Sequence, residues 1–266
     1  MTRTSAPEDI GDVVRYHVSA GVALVTLNRP ESRNAINGAV TRALASIVGE
    51  VDANPDIAVA VLASATPGMF CAGADLAEIA RGGGADLVHP QNGFGGFVRA
   101  RRSKPWIAAV DGAAMGGGFE LALACEMIVA SDRAQFGLPE VKRGLMAMAG
   151  GAIRLPRRLP RALAIEALLT GDPISAELAA AHGLVNRVVA ADVLDDTAIG
   201  LAGRIACNAP IALRESLQLA RAADGGDEAA LWESSDAAMM RVVISADARE
   251  GPLAFMEKRK PRWSGN

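Results

Sequence analysis

Short β-branched runs alternate with amphipathic segments through the first 160 or so residues of this chain, and beyond them almost every apolar residue falls at helical spacing. Residues 13–18 and 21–27 read as two strands of a hairpin. Asn37 then stands as an N-cap, and Val40, Ala43, Leu44, Ile47, Val48 and Val51 line one face of a helix reaching about Asp52. Asn54-Pro55 ends that helix, residues 57–62 read as a buried strand, and Thr66-Pro67-Gly68 is a turn. A short helix over 75–81, strands over 106–110 and 126–130, and a helix over 119–125 complete the alternation. The glycine-rich stretch 82–96 reads as a mobile surface loop. From Arg161 onward helices are expected over 161–169, 176–182, 193–206, 211–223, 228–241 and 245–258, with 185–189 the only late strand. Strand–strand–helix units recur without a tandem sequence repeat. The pattern predicts an α/β core followed by a helical extension.

A chain of 266 residues, half of them hydrophobic and 21% charged, can bury a large core, which excludes global disorder. With 27 basic against 30 acidic side chains the net charge is −3, which argues against a nucleic-acid coat or a polybasic membrane binder. Apolar stretches such as 106–110 and 121–125 are far too short to cross a bilayer, and residues 1–11 lack the apolar run of a signal peptide. Cys71, Cys125 and Cys207 are odd in number and lack metal-type spacing, so they are expected to be reduced core residues of a cytoplasmic protein.

No nucleophile elbow, zincin helix, phosphate-binding loop or dinucleotide fingerprint is present, and His17, His89 and His182 are scattered. Two glycine-bearing junctions are more informative: Phe70-Cys71-Ala72-Gly73-Ala74-Asp75-Leu76, and the run from Asp111 through Gly116-Gly117-Gly118 to Glu120. Each delivers a strand into a helix start, where free N–H groups favour negative charge. Such glycines serve tight turns in many proteins; two converging N–H groups would instead form an oxyanion hole. Glu120 and Glu140 both lie among apolar residues and suit a general acid/base pair. Three basic clusters, beginning at Arg99, Arg154 and Lys258, read as solvated faces.

Taken in order, these residues resemble the crotonase, or enoyl-CoA hydratase/isomerase, superfamily. The likeness rests on Leu27-Asn28-Arg29-Pro30 with Asn34-Ala35, the 71–76 and 116–120 turns, Phe136-Gly137-Leu138-Pro139-Glu140, Gly183-Leu184-Val185 and Phe255-Met256-Glu257-Lys258-Arg259. It spans about Val13 to Trp263. The resemblance implies a crotonase-type spiral of ββα units over residues 1–195, carrying the active site, and a helical trimerisation region over 196–266. It implies that the Ala74 and Gly117 N–H groups polarise a thioester carbonyl, with Glu120 and Glu140 as acid and base. Coenzyme A contacts are implied around Arg33, Asn34 and Ala35, around Ala72, Gly73, Ala74, Asp75 and Leu76, and at Gly116 and Gly117; Phe255 and Lys258 would border a neighbouring subunit's site.

Two glutamates twenty positions apart match the family's hydratases, whose isomerases commonly lack the first acid. Reversible hydration of a 2-enoyl-CoA in lipid metabolism is therefore the implied activity, with no metal or cofactor and with coenzyme A entering as part of the substrate. Double-bond isomerisation, carnitinyl-CoA dehydration and non-catalytic acyl-CoA binding are the alternatives. The implied partners are the acyl-CoA thioester and further copies of the chain, as a homotrimer or a dimer of trimers. One departure concerns Ala147-Met148-Ala149-Gly150-Gly151, where family hydratases usually carry a Pro-Gly-x-Gly-Gly type turn. Met148 thus stands where a glycine N–H helps hold water, and its thioether is expected to compete for space.

Overall fold

Alternating burial closes the first two runs into a hairpin: β1 (Val14–Ser19) pairs antiparallel with β2 (Val22–Leu27) across Ala20-Gly21, both at positive φ. The computed structural model describes residues 12–266, so the expectation that residues 1–11 are not a signal peptide lies outside the described residues. The Asn37 side chain caps α1 (Gly38–Ala53) by accepting from the Val40 N–H at 3.0 Å. A three-part unit then repeats. β3 (Val59–Ser64), β4 (Met69–Cys71) and α2 (Leu76–Ala80) form one copy. After the small hairpin of β5 (Val88–His89) and β6 (Gly93–Phe94), β7 (Trp106–Val110), β8 (Ala113–Met115) and α3 (Gly117–Ala124) form the next. β9 (Met127–Ser131), β10 (Gln135–Gly137) and α4 (Gly151–Arg158) follow. α5 (Arg161–Thr170), β11 (Ile174–Ser175), α6 (Ala176–Ala181), β12 (Arg187–Val189) and α7 (Leu194–Ala206) lead into α8 (Pro210–Ala222), α9 (Glu228–Val243) and α10 (Ala246–Met256).

Within each unit the first strand joins a six-stranded sheet of order β1-β2-β3-β7-β9-β12, and the second joins a four-stranded sheet of order β11-β10-β8-β4. All pairs of the larger sheet beyond the opening hairpin are parallel. Its inner strands are buried on both faces, which is why they read as unbroken Val, Ile and Ala runs rather than as alternations. One core gathers Phe70, Phe97, Trp106, Phe119 and Phe136, all fully buried, between this sheet, α1 and α3. A second core covers the opposite face through Leu194, Ala198 and Ala202 of α7. The expected boundary at 195/196 thus falls at the start of a helix that packs on the sheet.

Four sequence expectations require correction. Residues 82–96 are not a loop: a 3-10 turn (Gly83–Leu87) buries Leu87, and β5 and β6 form a hairpin that carries Phe94 inward. Residues 185–189 are not the only late strand, because β11 extends the smaller sheet. Cys71 and Cys125 are buried but Cys207 is exposed, since it follows α7 at the rim and not in the core. The clusters beginning at Arg99 and Arg154 are only partly solvated. Lys104 is buried, and its Nζ donates to the carbonyls of Val51 and Asn54 at the end of α1. Arg158 donates to the Cys125 carbonyl at 2.6 Å. The ends of buried helices need donors, and these long cationic side chains supply them.

α3 is the most enclosed helix, with all eight residues buried. It lies so close to β4 that a Cβ on Gly118 would stand 2.7 Å from Cys71 Cβ and 2.8 Å from its carbonyl carbon. Gly118→Ala is therefore expected to lower unfolding stability in urea by about 1–3 kcal/mol through overpacking. A midpoint equal to wild type would contradict this account of the packing.

Candidate active site

Both glycine-bearing junctions end at one place. Gly73 holds φ +95°, and a Cβ there would stand 2.8 Å from the Met115 carbonyl oxygen and 3.1 Å from the Gly117 nitrogen. The turn after β4 is thereby pressed against the start of α3. On one side of Ala74, Ile36 N–H donates to the Gly73 carbonyl; on the other, Asp75 N–H donates to Ile36, and the Ala74 N–H stays outside this ladder. Gly116 N–H donates to Gly137 and Glu120 N–H to Gly116, which leaves the Gly117 N–H as a first-turn donor of α3. The Phe94 ring covers Gly117 closely enough to exclude any Cβ there. The Ala74 and Gly117 N–H groups thus lie near each other beside the Phe94 ring, at the positive end of a buried helix.

The neighbouring turns are held by polar side chains. Asn34, 1% exposed, accepts from Arg29 N–H at 2.8 Å and donates to Ser64 Oγ at 2.7 Å and the Phe70 carbonyl at 3.1 Å. Its amide is fully used in joining the 29–35 turn to β4. Asp75 caps α2 by accepting from the Ala77 and Glu78 N–H groups and pairs with Arg29 at 3.1 Å. Burial pushes the Asp75 carboxyl up, but the Glu78 N–H, the Arg29 guanidinium and the Ala77 N–H outweigh it and hold the group below its ordinary range. Ala35 is buried and gives its carbonyl to Arg29, whereas Arg33, Ala72 and Leu76 are exposed along the same edge.

Glu120 projects from the first turn of α3 and is 3% exposed; its Oε1 accepts from the Gly151 N–H at 2.8 Å. Burial is the main cause that pushes its carboxyl from the usual 4.5 to about 7, and the negative field of Glu140 adds to it. The Gly151 and Ala149 N–H groups and Arg154 pull the other way. Glu140 sits in the 3-10 turn Pro139–Arg143, and its Oε1 lies 3.1 Å from where a Gly116 Cβ would be. Burial raises its pKa as well, and its Oε2 is buried without a hydrogen-bond partner among the described residues. Two buried carboxyls, both with pKa values raised by burial and that of Glu120 to about 7, therefore lie beside the two N–H donors.

The structure brings together Ala74, Gly73, Gly116, Gly117, Glu120 and Glu140. The Met148 side chain is 71% exposed, and the N–H that holds Glu120 belongs to Gly151, three residues further on. Phe255 is 86% exposed and Lys258 is exposed, and neither bonds to the site turns within this chain. Sequence reasoning missed Phe94 and Gly151. The first was an aromatic residue inside a stretch read as loop, and the second was half of the Gly150-Gly151 pair that opens α4. Among the described residues no three His, Cys, Asp or Glu side chains are grouped as metal ligands.

Known proteins are similar to this chain along most of their length. The family described as enoyl-CoA hydratase/isomerase matches residues 17–266. A carnitinyl-CoA dehydratase of Proteus mirabilis is 40% identical over 246 residues, covering 91% of this chain and 94% of the relative. A mevalonyl-coenzyme A hydratase of Aspergillus fumigatus is 41% identical over 250 residues, 91% of each protein. The crystal structure of an enoyl-CoA hydratase from Mycobacterium tuberculosis superposes with a TM-score of 0.92 at 41% identity, covering 96% of this chain and all of that one.

The buried Glu120 carboxyl links stability to pH. Its folded pKa of about 7 lies above the unfolded value near 4.5, so its contribution is fully present below pH 4.5 and is lost as pH rises through 7. Glu120→Gln keeps the acceptor for Gly151 and removes the charge. It is expected to match wild type in urea unfolding at pH 4 and to exceed it at pH 8 by about 3 kcal/mol. Equal stability of the two proteins at pH 8 would contradict the raised pKa.

Proposed function

This chain belongs to the enoyl-CoA hydratase/isomerase family and is a hydro-lyase of the hydratase and dehydratase kind, and from that premise we propose that it adds water reversibly across the double bond of a 2-enoyl-CoA. The observation that carries the reading is the pair of raised-pKa carboxyls, Glu120 and Glu140, beside the Ala74 and Gly117 N–H groups. Attack of water at C3 of a conjugated thioester moves charge onto the carbonyl oxygen, where the two N–H groups receive it. One carboxyl takes a proton from the attacking water while the other delivers one to C2, and elimination runs the same steps backwards. With its pKa raised to about 7 by burial and by the Glu140 charge, Glu120 holds a proton over part of the neutral range, as this exchange requires. The exposed edge formed by Arg33, Ala72 and Leu76 suits the coenzyme A portion, and the hairpin carrying Phe94 suits the acyl side of the thioester.

A second reading, dehydration of a carnitinyl-CoA, is favoured by the relative that bears that name and uses the same proton transfers. Turnover of a panel of 2-enoyl-CoA and carnitinyl-CoA thioesters in isotope-labelled water separates the substrates. Glu120→Gln and Glu140→Gln are each expected to lower kcat by about 10²–10⁴ with little change in ligand affinity. Absence of solvent oxygen from the product of the wild-type enzyme would remove hydration. Loss of activity in Glu140→Gln alone would point to isomerisation.

Trp232, Met239 and Met240 on α9, with Phe255 and Met256 at the end of α10, form apolar surface on the helical extension. This surface supports assembly through α9 and α10 into a homotrimer or a dimer of trimers, with Phe255 and Lys258 carried toward a neighbouring copy. Light scattering at micromolar concentration is expected to give the mass of three or six chains. A monodisperse monomer would refute it.

A further inference from the structure

A cavity of about 740 Å³ lies at the C-terminal end of α3, away from the Gly117 end that carries the proposed oxyanion donors. Guanidinium groups dominate its lining. Arg102, whose side chain is only 7% exposed, stacks 4.3 Å over the Phe97 ring and donates through Nη2 to the Ala124 carbonyl. Its Nε and Nη1 are buried without a hydrogen-bond partner among the described residues. Arg158 donates to the Cys125 carbonyl, and Arg221 reaches from α8 to pair with Glu126 at 2.6 Å. Capping the last carbonyls of α3 explains Arg102 and Arg158, and the Glu126 ion pair explains Arg221.

Capping does not explain the rest of the wall. The guanidinium groups of Arg99, Arg101 and Arg157 line the same cavity, yet they make no ion pair or hydrogen bond among the described residues. Two of the three acids in the lining are already engaged, and the third is Asp224. Glu126 is shared between Arg221 and Arg102 and also accepts from the Trp106 N–H, and Asp52 accepts from Ser103. Seven arginines therefore face three acids around a cavity open to solvent, with Arg99, Arg101 and Arg157 exposed along it, in a protein whose overall charge is −3. Burying the Arg102 Nε and Nη1 donors unsatisfied is costly, and a guanidinium fork matches a phosphate group through two parallel hydrogen bonds.

We propose that this cavity binds a small multivalent phosphate anion. Its volume falls in the ordinary range for small-molecule sites, and its charge selects against the apolar acyl groups that the catalytic end accommodates. The chemistry is that of a pyrophosphate or bisphosphate group, carried either by a free metabolite or by the phosphates of coenzyme A.

Isothermal titration of pyrophosphate into the full chain tests this, with the double variant Arg101→Gln/Arg157→Gln as the comparison. Neither residue touches the Glu120–Glu140 site, and a thermal unfolding midpoint equal to wild type certifies the fold of the variant without recourse to enzyme activity. The expected result is sub-millimolar binding that weakens with added salt and falls at least tenfold in the double variant. Repeating the titration in saturating coenzyme A identifies the source. Undiminished binding marks a free phosphate compound, and competition that disappears in the double variant marks the phosphates of coenzyme A. No binding at millimolar pyrophosphate, or equal affinity in wild type and variant, overturns the proposal whatever reaction the enzyme performs.

Discussion

The close approach of the turn after β4 to the N-terminus of α3 is the contact on which the rest of the structure depends. Glycine at 73 and 118 lets the two backbones meet, because a Cβ at either would press on the facing turn, and a Cβ on Gly117 would meet the Phe94 ring. That contact fixes the Ala74 and Gly117 N–H groups relative to each other. It also anchors a helix buried on every side, whose first turn projects Glu120. The positive end of the helix and the Glu120 carboxyl are therefore parts of one rigid element. Preorganised donors of this kind need no rearrangement when charge develops in a reaction.

Burial around α3 sets two opposed electrostatic requirements. At its N-terminus the apolar surroundings raise the pKa of Glu120, and one N–H from Gly151 offsets only part of that rise. At its C-terminus the carbonyls of Ala124 and Cys125 require donors, which Arg102 and Arg158 provide. Carboxyls gather where the helix presents N–H groups and guanidinia where it presents carbonyls, as its dipole favours. Arg154 lies between these regions: it donates to the Ala149 and Val98 carbonyls and lowers the Glu120 pKa. The fold thus separates an acid/base end from an arginine-lined end along a single eight-residue helix.

Much of this was legible in the chain. The hairpin, the Asn37 cap, the buried strands and nearly all late helices follow from periodicity and turn residues. The short strands β8 and β10 were not, because three residues cannot display a period of two, whereas β4 showed through the strand-to-helix junction at Phe70-Cys71. The 82–96 segment misled because its glycines suggest a loop, while its order comes from Leu87 entering the core and from Phe94 covering Gly117. Cys207 misled in the opposite sense, since an apolar-type residue at a helix end carries no sign of which way it faces.

Residue type and order alone determined which groups could do chemistry: two glycine-bearing helix starts, two glutamates in apolar settings, and no metal or nucleophile motif. Those properties belong to local sequence, because free N–H groups at a helix start and the titrating range of a carboxyl exist before any packing. Tertiary structure decided which of them meet. It joined residues 73 and 117, placed Glu140 beside Gly116, and gave the Glu120 contact to Gly151 while leaving the Met148 side chain exposed. It also decided that arginines from three separate segments share one cavity. Burial and field strength depend on neighbours distant in sequence, so a pKa near 7 or an uncompensated guanidinium arises only when the chain has closed around it.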